Sequence, residues 1–209
     1  MARNTQAVCR LCRRSGEKLM LKGSRCFTPK CAMDRRAKPP GQQSGGRRRR
    51  ISDRGFQLRE KQKARYTYGI MEGQFRRLFA HAERQQGITG DNLVVLLERR
   101  LDNVVYRLGF ADSRAQARQI VRHGHIRLNG HKNDVPSCLV REGDTISWKE
   151  NSKNTEYYKD MAENIGSKMV PNWLQLDRQN MVGQIVSLPT PEEIEAKFEG
   201  KTIVEFYSR

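Results

Sequence analysis

Long apolar runs are missing from this 209-residue sequence. No stretch approaches the roughly 20 residues that a membrane-spanning helix needs. Met1 to Cys12 has no apolar core of the kind a secretory signal carries. Acidic residues are scarce beside basic ones: 23 Asp and Glu stand against 40 Lys and Arg, a formal net charge of +17. Such a surplus argues for a polyanionic partner. The basic stretches lack the Trp/Phe/Leu face that membrane-surface helices pair with their charge, which disfavours a membrane partner. Catalytic motifs are missing too. There is no phosphate-cradling glycine loop with its lysine and no dinucleotide fingerprint, and Gly41 to Gly46 lacks the strand-then-helix context such loops require. The four histidines, His81, His123, His125 and His131, form no metal-ligand motif. No enzymatic activity and no small-molecule substrate are expected. The cysteines number five, which disfavours a disulfide framework and leaves metal as the use for an intracellular-looking chain.

The charge is uneven. Residues 1–50 hold fifteen Lys and Arg against two acids, residues 51–150 hold eighteen against twelve, and residues 151–209 hold seven against nine. The polyanion is therefore expected on the N-terminal half and the middle, leaving the acidic end for a protein neighbour. Near the start, Cys9-x-x-Cys12 and Cys26-x(4)-Cys31 form two close pairs. Two such pairs can wrap one tetrahedral ion, each giving two thiolates from a tight turn. Zinc is expected, structural because no coordination position stays open. A [4Fe-4S] cluster on the same four cysteines is the alternative, and four unrelated thiols the plain one. Arg35 to Arg50 then reads as a Pro/Gly/Ser linker ending in Arg47, Arg48, Arg49 and Arg50, a like-charged block suited to an RNA-contacting arm or to a solvated linker.

Two helices are expected over Phe56–Tyr68 and Met71–Gln86, with Phe75, Leu78, Phe79 and Ala82 inward and Lys61, Lys63, Arg65, Arg76 and Arg77 on the outer faces. Asp91 can cap a longer helix whose stripe is Leu93, Leu96, Leu97, Leu101, Val104, Val105 and Leu108. Glu98-Arg99-Arg100 interrupts that stripe, which implies a kink or a domain junction there. Arg99 and Arg100 are RNA-contact candidates at the junction, or ordinary surface charges.

Ser113 to Lys132 carries the densest signals. Ser113 and Gln116 form a capping box. Ala115, Ile120 and Val121 supply an apolar side, and Gly124 can close the helix in a left-handed conformation. Ile126 and Leu128 alternate with Arg127 and Asn129 as in a half-buried strand, and Asn129-Gly130 is a hairpin signal. Arg114, Arg118 and Arg122, four apart, fall on one helix face beside His123, His125 and Lys132. Guanidinium groups so arranged fit phosphate oxygens in bidentate forks, so replacing the three arginines together is expected to weaken RNA binding without unfolding the chain. Further along, Val135-Pro136 reads as an edge strand, Thr145–Trp148 as a strand and Cys138 as a small buried hydrophobe. Strands are also expected around Trp173–Leu176 and Val182–Leu188. Thr190-Pro191-Glu192-Glu193 reads as a helix start, and Ile203, Val204, Phe206 and Tyr207 as an apolar tail.

The stretch SRAQARQIVRHGHIRLNG, followed by DVPSCLVREGDTI, resembles the S4-type RNA-binding module. With GDNLVVLLERRLDNVVYRLGF and the cysteine-rich start, nearly the whole chain resembles the small-subunit ribosomal protein S4 family in its four-cysteine bacterial form. That resemblance implies an α+β fold: a four-cysteine metal-binding arm over 1–45, a helical RNA-binding domain over 46–98 and an S4-type module with additional strands over 99–196. The tail 197–209 is expected to pack back on the helical domain. The resemblance also implies a cytoplasmic constituent of the small ribosomal subunit that binds 16S rRNA, meets mRNA near its entry site through the region of Arg47 to Arg50, and meets the neighbouring ribosomal protein S5. A DNA-binding zinc protein and a free RNA-binding protein are the other classes. The first lacks a Cys/His-framed recognition helix, and the second leaves the cysteine pairs and tail unexplained.

Overall fold

The computed structural model describes residues 4–41, 51–194 and 196–208. It has the expected α+β character, helices with one small antiparallel sheet. Two compact units emerge, Met1–Leu93 with Ala196–Arg209, and Val94–Glu195.

The first unit is helical. Helices α1 (Cys9–Ser15) and α2 (Ala32–Arg35) are short. Helix α3 (Asp53–Thr67) is capped by Ser52, whose hydroxyl accepts from Gly55 N–H at 3.2 Å. Gly69, at φ 63°, turns the chain into α4 (Glu72–Glu83). Phe75, Phe79 and Ala82 are buried as their spacing predicts. The last helix of the chain, α9 (Gly200–Tyr207), packs along α3. Its Tyr207 ring stacks on Phe75 and lies 4.5 Å from Phe79, while Phe198 meets Tyr68 edge-on. Where α9 begins, Gly200 abuts Gly90 at the start of α5 (Thr89–Glu98); a Cβ on Gly90 would stand 3.0 Å from the Gly200 carbonyl carbon, so no side chain fits between the two backbones.

Tyr207 Oη donates to Glu72 at 2.9 Å, and Lys61 Nζ lies 2.8 Å from the same carboxylate. Burial alone would raise the Glu72 pKa, but the Lys61 and Tyr207 hydrogen bonds and the nearby cations hold it below the ordinary carboxylate value. A depressed native pKa gives stability that is present above the unfolded value of about 4.3 and is lost as pH falls through the native one. Glu72→Gln is therefore expected to remove part of the acid-side loss of stability, read as a flatter dependence of the urea midpoint on pH below about 4.3.

The second unit places α6 (Leu101–Arg107) and α7 (Arg114–Arg122) with a five-stranded sheet of order β2-β1-β3-β5-β4. Its strands are β1 (Ile126–Leu128), β2 (His131–Lys132), β3 (Thr145–Trp148), β4 (Leu174–Asp177) and β5 (Val182–Ile185). Asn129 and Gly130, at φ 51° and 78°, make the β1–β2 turn. Leu101, Val104, Val105, Leu108, Ile120, Val121, Ile126, Ile146 and Trp148 share one core, and Gly183 of β5 leaves the space that the Leu108 side chain occupies. Helix α8 (Glu156–Asn164) was not expected. Its signal is a Thr155 N-cap ahead of Tyr157, Tyr158, Met161 and Ile165 at helical spacing. Tyr157 Oη donates to Phe110 O at 2.8 Å, and burial, with Asp112 nearby, pushes its phenol up to about 12.

Several local expectations are corrected. The 91–109 stretch is two helices rather than one, with the break at Arg99-Arg100 where the interruption of the stripe implied it, because Leu101 N–H and Asp102 N–H donate to Cys138 O and Pro136 O instead of to the preceding turn. Val135-Pro136 is not a strand; the isolated bridge nearby joins Arg100 to Leu139. Cys138 is half-buried at the core's edge rather than within it. The Thr190 cap is present, but the helix it opens is only the 3-10 turn Pro191–Glu193.

Candidate nucleic-acid interface

Helix α7 starts as its sequence predicts, with Ser113 Oγ accepting from Gln116 N–H at 3.3 Å. The return bond runs from Asp112 N–H, not Ser113 N–H, to Gln116 Oε1 at 3.0 Å. Ala117, Ile120 and Val121 turn inward, and Ala115, expected on the apolar side, is exposed.

The predicted arginine row divides. Arg118 is 7% exposed, with Nη1 donating to Asp102 Oδ2 at 2.8 Å. Arg100, 2% exposed, grips the same carboxylate bidentately at 3.0 and 2.8 Å. Arg114 Nε donates to Asn103 Oδ1 at 2.7 Å, and its guanidinium lies over the Tyr106 ring. Beside this, the fully buried Glu98 receives Arg107 at 2.9 and 2.8 Å and Asn103 at 2.7 Å. The i, i+4 spacing did put the arginines on one face, but α6 packs against that face and brings Asp102 and Asn103 to it. Buried charge persists only when paired. Arg100, Arg118 and largely Arg114 are thus engaged within the fold, contrary to the outward-facing row expected, and their joint removal is a structural lesion.

Arg122, His123 and Lys132 are exposed. They flank Gly124, which ends α7 at φ 73°. A Cβ there would also lie 2.6 Å from Lys132 Cε, at the movable end of an exposed side chain, so it is the left-handed φ that calls for glycine. His125 is half-buried, its Nδ1 2.9 Å from Ser152 Oγ. Burial, then the nearby His123 and Lys149, holds its pKa below the ordinary imidazole value, so it is neutral at neutral pH. Lys149 was missed in the sequence. It reaches this group because Ile126 pairs with Trp148 across β1 and β3 and Lys149 N–H donates to His125 O at 2.8 Å. The result is a cationic patch of Arg122, Lys132 and Lys149 beside His123 and His125.

In the first unit, Lys61 and Lys63 are not on an outer face. Lys61, 5% exposed, pairs with Glu72 and lies over the Phe206 ring at 4.7 Å; Lys63, 7% exposed, pairs with Glu17 and Glu60, each at 2.7 Å. Arg65 reaches Glu72 at 3.2 Å and is half-buried. The docked α9 covers Lys61, whereas Glu17 and Glu60 engage Lys63 on another face of α3. Arg76 and Arg77 on α4 are exposed as expected. Arg47 to Arg50 lie outside the described residues.

Cys9 and Cys12 sit on α1, Cys26 in the 3-10 turn Gly23–Phe27 and Cys31 at the N-cap of α2. All four line one cavity of ≈ 20 Å³, room for about one water-sized particle. Lys22 N–H points at Cys26 Sγ, 3.3 Å away. The Cys12 thiol is pushed up by burial and, against a backbone hydrogen bond at Leu19, by the closeness of Cys26, Cys9 and Cys31. Four cysteines, whose sulfurs are soft donors, thus line one small cavity. As placed, no three His, Cys, Asp or Glu side chains among the described residues form a finished metal site, and the five cysteines are free thiols.

Residues 3–98 match the ribosomal protein S4/S9 N-terminal domain family, and residues 99–146 the S4 domain. The small ribosomal subunit protein uS4 of Dehalococcoides mccartyi is 58% identical over 209 residues, all of both chains. Proteins of the same name from Heliobacterium modesticaldum and Syntrophomonas wolfei are 56% and 54% identical, again over the full length of both chains. With both matched regions in order and relatives aligned end to end, the chain belongs to the ribosomal protein uS4 family.

Proposed function

We propose that this chain is a structural constituent of the small ribosomal subunit that binds 16S rRNA directly, nucleates its folding and supports subunit assembly in the cytoplasm. It is not an enzyme. The observation that carries this reading is the full-length identity to small-subunit uS4 proteins. The exposed cations of the module and of α4 supply the means: phosphate contacts position the protein on folded RNA, and A-form shape and 2′-hydroxyls supply selectivity. The working division is an arm over 1–45, a helical domain over 46–98 and an S4-type module over 99–196. The mRNA entry path would meet the arm near Arg47 to Arg50, and ribosomal protein S5 the acidic C-terminal part.

The test is competition binding of the full chain across a salt series, with small-subunit rRNA against large-subunit rRNA and duplex DNA of matched length. Each phosphate contact steepens the fall of log affinity with log salt by roughly 0.7–0.9, so a steep loss is expected for all three. A preference for small-subunit rRNA that survives high salt supports the reading. Equal binding that vanishes together sinks it.

For the four-cysteine arm, the proposal is one structural Zn²⁺ held by Cys9, Cys12, Cys26 and Cys31, with a [4Fe-4S] cluster as the alternative. The single cavity shared by all four sulfurs supports it. Thiolate ligation would order a segment with little core of its own. Purified protein is expected to carry about one zinc per chain, to lose it to a strong chelator, and then to expose residues 4–41 to protease. Iron and sulfide with visible absorption would favour the cluster. Cysteine-to-serine replacement that leaves metal content and protection unchanged would reject both.

A further inference from the structure

We propose that Arg99 and Arg141 form a seat for a single RNA backbone phosphate. The seat rests on the RNA-binding reading above and deepens it. The neighbours Arg99 and Arg100 have opposite fates. Arg100 turns inward to Asp102, whereas Arg99 is only half-buried and donates through Nε to Val140 O at 3.1 Å. Val140 N–H donates back to Arg99 O at 2.9 Å, and Arg100 bridges Leu139. These bonds tie residues 99–100 to 139–140, and Arg141, next in the chain, lies close enough for its charge to act on Arg99. The Arg99 Nε bond leaves the two Nη groups as the remaining donors.

Among the described residues neither guanidinium makes an ion pair within 4.0 Å. The acid in their electrostatic neighbourhood, Asp144, is committed elsewhere. Its Oδ2 accepts from Arg141 N–H at 2.7 Å and its Oδ1 from Asn129 Nδ2 at 2.8 Å. Burial and then the charge of Arg141 weaken the protonation of Arg99, with Asp144 opposing. Two like charges brought near each other, with both oxygens of the local carboxylate already accepting other hydrogen bonds, complement an anion with several oxygens. A phosphodiester has that geometry, and guanidinium forks match it. The buried arginines nearby, Arg100 and Arg118, have Asp102 as their acceptor, so this pair stands apart by chemistry and not by sequence.

The test uses the full chain and small-subunit rRNA in equilibrium binding across salt, with Arg99→Gln, Arg141→Gln and the double variant. Each single variant is expected to lower affinity roughly ten-fold. The double variant is expected to be about as weak as the weaker single one, because one phosphate is lost either way. The salt slope should drop by about one contact, not two. Arg141→Glu keeps the argument independent of folding defects: without RNA it should raise the thermal midpoint by pairing with Arg99, and with RNA it should bind more weakly than Arg141→Gln. Multiplicative losses with a slope change of about two contacts would mean separate phosphates and overturn the shared seat. Unchanged affinity in all variants, with wild-type preference for small-subunit rRNA intact, overturns the seat alone. A wild-type chain without that preference overturns the functional reading and the seat together.

Discussion

Asp102→Ala is expected to destabilise the 94–195 unit by about 3–5 kcal/mol, the cost of removing one partner from a buried ion network. Asp102 is 4% exposed and is gripped by both Arg100 and Arg118. Without it two guanidinium groups stay in the interior of the α6–α7 contact with nothing to offset their lost hydration. The loss exceeds that of a typical surface pair because Arg100 and Arg118 are themselves 2% and 7% exposed. Both tryptophans of the sequence, Trp148 and Trp173, are buried in this same unit. Urea unfolding followed by tryptophan fluorescence therefore reads this unit selectively. Arg122→Ala, on the same helix as Arg118 but exposed, should shift the same midpoint by no more than about 0.5 kcal/mol. Equal effects of the two would mean that Asp102 does not hold the network.

Phe75→Ala is expected to cost the first unit about 3–5 kcal/mol and to release the C-terminal helix. Phe75 is fully buried and stacks against Tyr207. Its loss opens a cavity under α9, which is only eight residues long and could not persist alone. Amide exchange across 200–207 should rise sharply, whereas the tryptophan signal of the other unit should be unmoved. Protection of 200–207 in the variant equal to that of the parent would show that the Tyr207–Glu72 bond and the Lys61 contacts hold the helix unaided. Arg77→Ala, on the same helix and exposed, is the control.

Local geometry was legible in the sequence wherever one residue type answers one backbone demand. Ser113, Gly124 and Asn129-Gly130 each sit where a cap, a left-handed closure and a tight turn are required, and each was read correctly. Apolar spacing likewise exposed Phe75, Phe79, Val104 and Leu108. The charged residues were misread because a cation's role depends on what tertiary packing brings to it. Lys61 looks like a solvated helix position until α9, far along the chain, covers it, and Lys63 does until Glu17 and Glu60 engage it. Arg118 looks like a phosphate ligand until Asp102, sixteen residues earlier, meets it. Lys149 joined the cationic patch through strand register alone, which no periodicity displays. The residues that look most alike on paper, Arg99 and Arg100, part company at a single backbone break.

The interleaving of the two units also sets an order of events during synthesis. Residues 94–195 are contiguous and can close as soon as they leave the exit tunnel. The first unit begins earlier yet lacks its final helix until Gly200 arrives to meet Gly90, and Glu199 N–H to meet Glu60 139 residues behind it. At about 5–20 residues per second, the α3 face bearing Lys61 stays uncovered for several seconds while its partner helix is still being made. The module is thus finished first, and the nascent chain carries a temporarily bare, strongly basic helix until the α9 segment is made and closes over it.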